Sequence, residues 1–130
     1  MEILDLWVKS KKSILGVCLG HQGVGEYCGL ELIKSNRPMH GISTLININS
    51  PSQIYNNLKS PIEVGRYHSL IVNGNSDELI ITATDNEEQI MSLEHKILPI
   101  YSVQFHPESV NTPYGKDILK NWLNSIRLSN

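Results

Sequence analysis

What is scarce in this chain of 130 residues narrows its chemistry first. Aromatic residues make up only 6%, which argues against a base-stacking platform for nucleic acid. Lysine and arginine total 11 against 13 aspartates and glutamates, so the net charge is −2. No basic excess calls for a nucleic-acid partner, and no run of one sign reads as a tail. Only two cysteines occur, Cys18 and Cys28. The helix expected between them would hold their Cα atoms roughly 15 Å apart, too far for a disulfide. Free thiols fit a reducing cytoplasm. No apolar run is long enough for a membrane span, and Met1-Glu2-Ile3-Leu4-Asp5 lacks the basic start of a signal peptide. There is no repeat, linker or low-complexity segment. With 40% hydrophobic residues, positions 1–130 are expected to form a single domain around one core.

Periodicity supplies the elements. Residues 1–11 read as the end of a helix with Ile3, Leu4, Trp7 and Val8 on one face. Strands are expected at 13–18, 30–34, 42–48, 62–66, 79–84, 89–95 and 100–105. Helices are expected at 20–28, at 51–58 with Pro51 in the first turn, and at 115–127. The last carries Ile118, Leu119, Trp122, Leu123 and Ile126 on one face. Early strand–helix alternation indicates an α/β chain with a hairpin-rich middle.

Gly16-Val17-Cys18-Leu19-Gly20-His21-Gln22 is the segment richest in chemistry. An apolar run, Ser13 to Val17, leads into a cysteine flanked at two positions either side by glycine. Small residues there let a strand turn sharply into a helix and expose the side chain at the tip. A helix N-terminus would favour thiolate over thiol. A free cysteine closing a buried core strand would have the same apolar approach.

A second constellation is Val103-Gln104-Phe105-His106-Pro107-Glu108-Ser109. Pro107 ends the preceding strand, so His106 and Glu108 fall in the turn at its C-terminal end. Ligands in open α/β sheets bind at that edge. A thiol nucleophile needs a base, and the base an orienting acceptor; His106 and Glu108 can supply both. Arg66-Tyr67-His68-Ser69-Leu70 reads as a loop. His68 is a second candidate base, but it has neither a neighbouring carboxylate nor a strand to hold it. His21 reads as structural or close to substrate, and His40 and His95 as ordinary surface or packed histidines. No spacing matches a zinc site, and no glycine loop would cradle a phosphate.

These three motifs, in this order, strongly resemble class I glutamine amidotransferases. The resemblance is nearest to the glutaminase subunit shared by anthranilate synthase and 4-amino-4-deoxychorismate synthase. It covers essentially the whole chain, and Met39-His40-Gly41 and Ile90-Met91 also look familial. It implies a flavodoxin-like domain, a mostly parallel central sheet flanked by helices. It implies that Cys18 attacks the glutamine carboxamide, that His106 serves as base and acid, and that Glu108 orients it. The Leu19 N–H would be one oxyanion donor, and Gln22, Ser69 and Leu70 would bind glutamine. Neither metal nor organic cofactor is implied. Ammonia would pass to a synthase subunit that aminates chorismate.

The family pattern opens with a strand, a helix, a second strand and a Pro-Gly-rich loop that donates another oxyanion N–H. This sequence starts after that loop, so it is expected to lack the first strands, and a separate N-terminal fragment is one candidate partner. Position 42 is Ile where the family has Lys, and position 102 is Ser where it has Gly. A chain that only docks on a synthase subunit, without turnover, is the alternative expectation.

Overall fold

The computed structural model describes residues 2–10 and 12–128, apart from the side chains at 2, 3, 4, 7 and 128. The elements are α1 (Glu2–Ser10), β1 (Ile14–Val17), α2 (Leu19–Tyr27), β2 (Glu31–Lys34), β3 (Ile42–Ile48), a 3₁₀ turn (Gln53–Tyr55), β4 (Ile62–Arg66), β5 (Leu70–Asn73), β6 (Leu79–Asp85), β7 (Ile90–His95), β8 (Ile100–Val103) and α3 (Gly115–Leu128). The stripe expected through Ile3, Leu4 and Trp7 falls on side chains outside the described set. The Tyr27 hydroxyl donates to Asp5 Oδ1 at 2.8 Å and ties α1 to α2.

Six strands form one sheet in the order β1-β8-β7-β6-β3-β4, and β2 and β5 form a separate antiparallel pair. The α/β class stands, but the sheet is mixed and not mostly parallel. Among the described residues only β1 and β8 run parallel; the other pairings are antiparallel. Chain connectivity explains this. Residues 86–89 and 96–99 are the only links between β6, β7 and β8. Links that short can join only antiparallel neighbours, whereas β1 and β8 are far apart in sequence and joined by a long crossover.

Two apolar clusters hold the sheet. Ile46, Ile62, Val64, Met91, Val103 and Phe105 pack with Ile54, Tyr55 and Ile118 beneath α3 and the 3₁₀ turn. Leu30, Val72, Leu79, Ile90 and Leu93 fill the second. Leu123, expected on the buried face of α3, is exposed, because the helix seats on Ile118 and Trp122 and leaves 123 at its flank. The helix expected at 51–58 shrinks to the 3₁₀ turn, ended by Asn57 at φ 66°. Strand β5 was hidden behind the polar residues Arg66 to Ser69. Its signal was the β-branched pair Ile71-Val72 before Asn73-Gly74, where Gly74 takes φ 116°. No helix among the described residues is long and apolar enough to cross a membrane.

Candidate active site

The parallel pair β1–β8 sets Val17 opposite Val103, so both strands end side by side. Cys18 follows one strand and Gln104 to Glu108 follow the other. The Cys18 N–H still donates to the Val103 carbonyl at 2.9 Å, and the next residue is already in α2. This forces Cys18 to φ 53°, ψ −100°, a left-handed conformation costing about 1–3 kcal/mol for a side-chain-bearing residue. Its neighbours hold it there: the Cys18 carbonyl accepts from the Gln22 N–H at 3.0 Å.

The two flanking glycines differ. A Cβ at Gly16 would lie 2.7 Å from the Gly20 carbonyl oxygen, so β1 and α2 approach as closely as their backbones allow. At Gly20 a Cβ would meet nothing within 4 Å, so the second glycine of the motif is not demanded by crowding among the described residues.

Burial raises the Cys18 thiol pKa above its ordinary value; the Leu19 amide lowers it, the Glu108 charge raises it and Gln104 lowers it. The helix terminus acts in the expected direction, but desolvation outweighs it.

The turn that follows β8 is held from both sides. The His106 N–H donates to the Gly65 carbonyl at 3.0 Å. Thr112 Oγ1 donates to the His106 carbonyl at 2.7 Å and accepts from the Gly65 N–H at 2.8 Å. A Cβ on Gly65 would strike Asn111 Cβ at 2.8 Å, and one on Gly115 would overlap the Pro107 carbonyl at 1.7 Å. The turn is thus pressed between β4 and the start of α3. Within it His106 Nδ1 and Glu108 Oε2 are 2.7 Å apart. A carboxylate only accepts, so Nδ1 carries the proton and Nε2 is left with its lone pair.

Tyr67 joins the two halves. The Cys18 thiol lies 3.9 Å from its carbonyl oxygen, and its ring meets the His106 ring edge-on at 5.2 Å between centroids. Beside them opens a cavity of about 650 Å³ lined by Cys18, Leu19, Gln22, His68, Ser69 and Leu70 among others. That size suits a small polar metabolite. Leu19, the expected oxyanion donor, and Gln22, Ser69 and Leu70, the expected glutamine-binding residues, all line this cavity. Gln22 Nε2 donates to the Leu70 carbonyl at 3.2 Å.

Sequence reasoning passed over Gln104 and underrated Arg66. Gln104 is fully buried and its Nε2 lies 3.8 Å from Cys18 Sγ. Arg66 is 1% exposed; it pairs with Asp85 at 3.0 Å and donates from Nε to His68 Nε2 at 3.0 Å. A buried arginine in a motif is the signal that pointed there. His68 is not a base: its Nε2 is occupied by Arg66, and burial, then Arg66, push its pKa down to about 4. His21 is buried and structural, bonded through Nδ1 to Ser102 Oγ at 2.8 Å, with burial pushing its pKa down to about 3. Ser102 at that position therefore has a partner.

Away from this site, Cys28, Glu78 and His95 converge with ligand atoms within 4.8 Å of one another. His95 Nδ1 accepts from the Ile97 and Leu98 amides at 3.1 and 3.0 Å, which leaves the proton on Nε2 facing Glu78. Burial and then Glu78 push the Cys28 thiol up to about 11. A cation binding there would have to displace the thiol proton and the Nε2 proton. Both cysteines are free.

The family model for class-I glutamine amidotransferases matches residues 1–126, and the chain belongs to that family. It is 40% identical over 119 residues to aminodeoxychorismate/anthranilate synthase component 2 of Bacillus subtilis, covering 90% of this chain and 61% of that protein. It is 42% identical over 123 residues to anthranilate synthase component 2 of Saccharolobus solfataricus, covering 92% and 63%. Among solved structures, a glutamine amidotransferase from Thermotoga maritima shares the fold at TM-score 0.75 and 15% identity, covering 98% of this chain and 52% of that one. The chain spans about 60% of the length of each of these two curated relatives.

Proposed function

We propose that this chain is the glutamine-hydrolysing part of a chorismate-aminating synthase, of the anthranilate or 4-amino-4-deoxychorismate type. The observation that supports the reading is the β1–β8 register, which ends both strands side by side, with Cys18 following one and the His106–Glu108 pair, bonded at 2.7 Å, in the turn after the other.

The chemistry follows from the atoms present. Glutamine enters the cavity, its polar groups meeting Gln22 and the backbone around Ser69 and Leu70. His106 takes the Cys18 proton as sulfur attacks the carboxamide carbon. The Leu19 N–H, at the start of α2, donates to the oxyanion of the tetrahedral intermediate. His106 returns its proton to the departing nitrogen, releasing ammonia and leaving a γ-glutamyl thioester on Cys18. Water, deprotonated by His106, cleaves the thioester to glutamate and restores the thiol. Glu108 keeps the proton on Nδ1, so that Nε2 is the atom left to serve as base, and stabilises imidazolium. Ammonia is then handed to the synthase subunit.

Two relatives support the choice of partner, being component 2 of such synthases by name. The test is glutamate and ammonia release by the full chain, alone and with a chorismate-binding synthase subunit. Glutamine-dependent release that disappears in Cys18→Ser is expected. Turnover that survives this change removes Cys18 as nucleophile, and no turnover in either arm leaves a docking subunit.

A further inference from the structure

The Cys18 sulfur has a side-chain neighbour to which no role has yet been given. Gln104 sits at the bend where β8 ends, fully buried, with its main-chain N–H fixed on the Met91 carbonyl at 2.8 Å. Its side-chain amide could face the sulfur with either end. Oxygen there would repel a forming thiolate; N–H would favour it.

The surrounding hydrogen bonds choose the end. Gln22 Nε2 reaches both the Leu70 carbonyl at 3.2 Å and Gln104 Oε1 at 3.4 Å. An oxygen cannot donate to a carbonyl, so Leu70 fixes which way Gln22 points. Gln22 in turn needs an acceptor, so Gln104 must offer it Oε1, and Nε2 is left for Cys18 Sγ at 3.8 Å. The Leu70 carbonyl is held in place by His68 Nδ1 at 3.0 Å. His68 Nε2 must accept, because Arg66 Nε, at 3.0 Å, can only donate. Arg66 is anchored on Asp85 Oδ2 at 3.0 Å, and Asp85 Oδ1 is fixed by the Glu87 and Gln89 amides at 2.9 Å.

We propose that Gln104 is a further catalytic residue, whose side-chain N–H steadies the Cys18 sulfur as it becomes anionic. The buried series Asp85, Arg66, His68, Leu70 carbonyl and Gln22 keeps that N–H turned to the sulfur. No proton moves along the series; it sets orientation only, so Arg66 and His68 are positioning residues. The inference rests on Cys18 being the nucleophile, and it is consistent with Gln104 lowering the thiol pKa against the effect of burial.

The test uses alkylation of the full chain by iodoacetamide across pH, with no glutamine present, the Cys18 and Cys28 peptides being read separately by mass spectrometry. Losing a hydrogen bond to a charged group moves a titration midpoint by roughly one to two pH units. Gln104→Met is expected to move the Cys18 midpoint up by about one unit, a tenfold slower reaction at neutral pH, while the Cys28 profile stays in place. His68→Leu is expected to move it the same way. His68→Asn, whose amide can still donate to Leu70, is expected to restore it. In the unaltered chain, nitrogen NMR is expected to show the His68 proton on Nδ1 at neutral pH. A Cys18 profile unmoved by Gln104→Met, or a His68 proton on Nε2, overturns the proposal. If the chain never hydrolyses glutamine but the profile moves, the functional reading fails and the role of Gln104 towards sulfur stands. If hydrolysis holds and the profile does not move, only Gln104 fails.

Discussion

Val17 stands opposite Val103 in the single parallel strand pair of the described residues, and that register puts Cys18 and His106 at one sheet edge. Everything chemical in the site depends on this pairing. The turn after β8 then has to present imidazole and carboxylate together, which Pro107 and the clamp on Gly65 achieve.

The His106–Glu108 pair is the first place to test. Glu108 is 62% exposed, so its exchange should leave folding intact. Glu108→Gln keeps the shape but loses the anion that fixes the proton on Nδ1. Steady-state glutamine hydrolysis should fall about 10²–10⁴-fold in kcat, with KM little changed. A loss confined to KM contradicts the orienting role.

The two glycines of the elbow should behave differently. Gly16→Ala drives a methyl into the Gly20 backbone at 2.7 Å and should destabilise by about 1–3 kcal/mol in urea unfolding. Gly20→Ala meets nothing within 4 Å and lies in a helix, where alanine should stabilise by about 0.5–1 kcal/mol. Equal effects would mean that β1 and α2 do not approach as described.

Thr112 should matter more than a turn threonine usually does. Its hydroxyl serves Gly65 N–H and the His106 carbonyl at 2.8 and 2.7 Å from a buried position. Thr112→Val preserves volume, orphans the Gly65 N–H and leaves the His106 carbonyl only its 3.2 Å bond from the Ser109 N–H, so a stability loss of about 1–3 kcal/mol is expected by denaturant titration. Because the same bonds aim His106, kcat should fall as well. A stable variant with undiminished kcat argues that the turn is positioned otherwise.

Acid should weaken the fold between about pH 6.5 and 3. Burial pushes His21 down to about 3 and His68, with help from Arg66, down to about 4. As pH drops below the ordinary histidine value near 6.5, the unfolded chain takes up protons that the folded chain refuses. The stability these neutral rings contribute is complete above pH 6.5 and is lost as pH falls towards their folded values. Melting temperature should decline over this window, and His21→Asn should flatten the decline. A flat profile in the parent chain would contradict the buried neutral imidazoles.

Much of this site was legible in the sequence because its parts are local. Gly16 to Gln22 spell a strand, a tight turn and a helix, and His106-Pro107-Glu108 spell a turn with two functional groups. The mixed sheet was less legible, because strand direction depends on which distant segments pair. Strand β5 was lost behind Arg66 to Ser69, whose polarity masks the short apolar run after it. Gln104 was passed over, and the part played by Arg66 underrated, for a related reason. A buried polar side chain acts through partners such as Gln22, Asp85 and His68, and no spacing along the chain reveals those contacts. The net direction in which the Cys18 thiol pKa shifts was not legible either, since burial competes with the helix terminus and only packing decides between them.

The central claim is covalent chemistry at Cys18, and it can be read directly. Full-length chain mixed with glutamine and quenched in acid should yield the Cys18 peptide carrying a γ-glutamyl group, absent without glutamine and absent in Cys18→Ala. An adduct on another residue, or glutamine hydrolysis undiminished in Cys18→Ala, contradicts it.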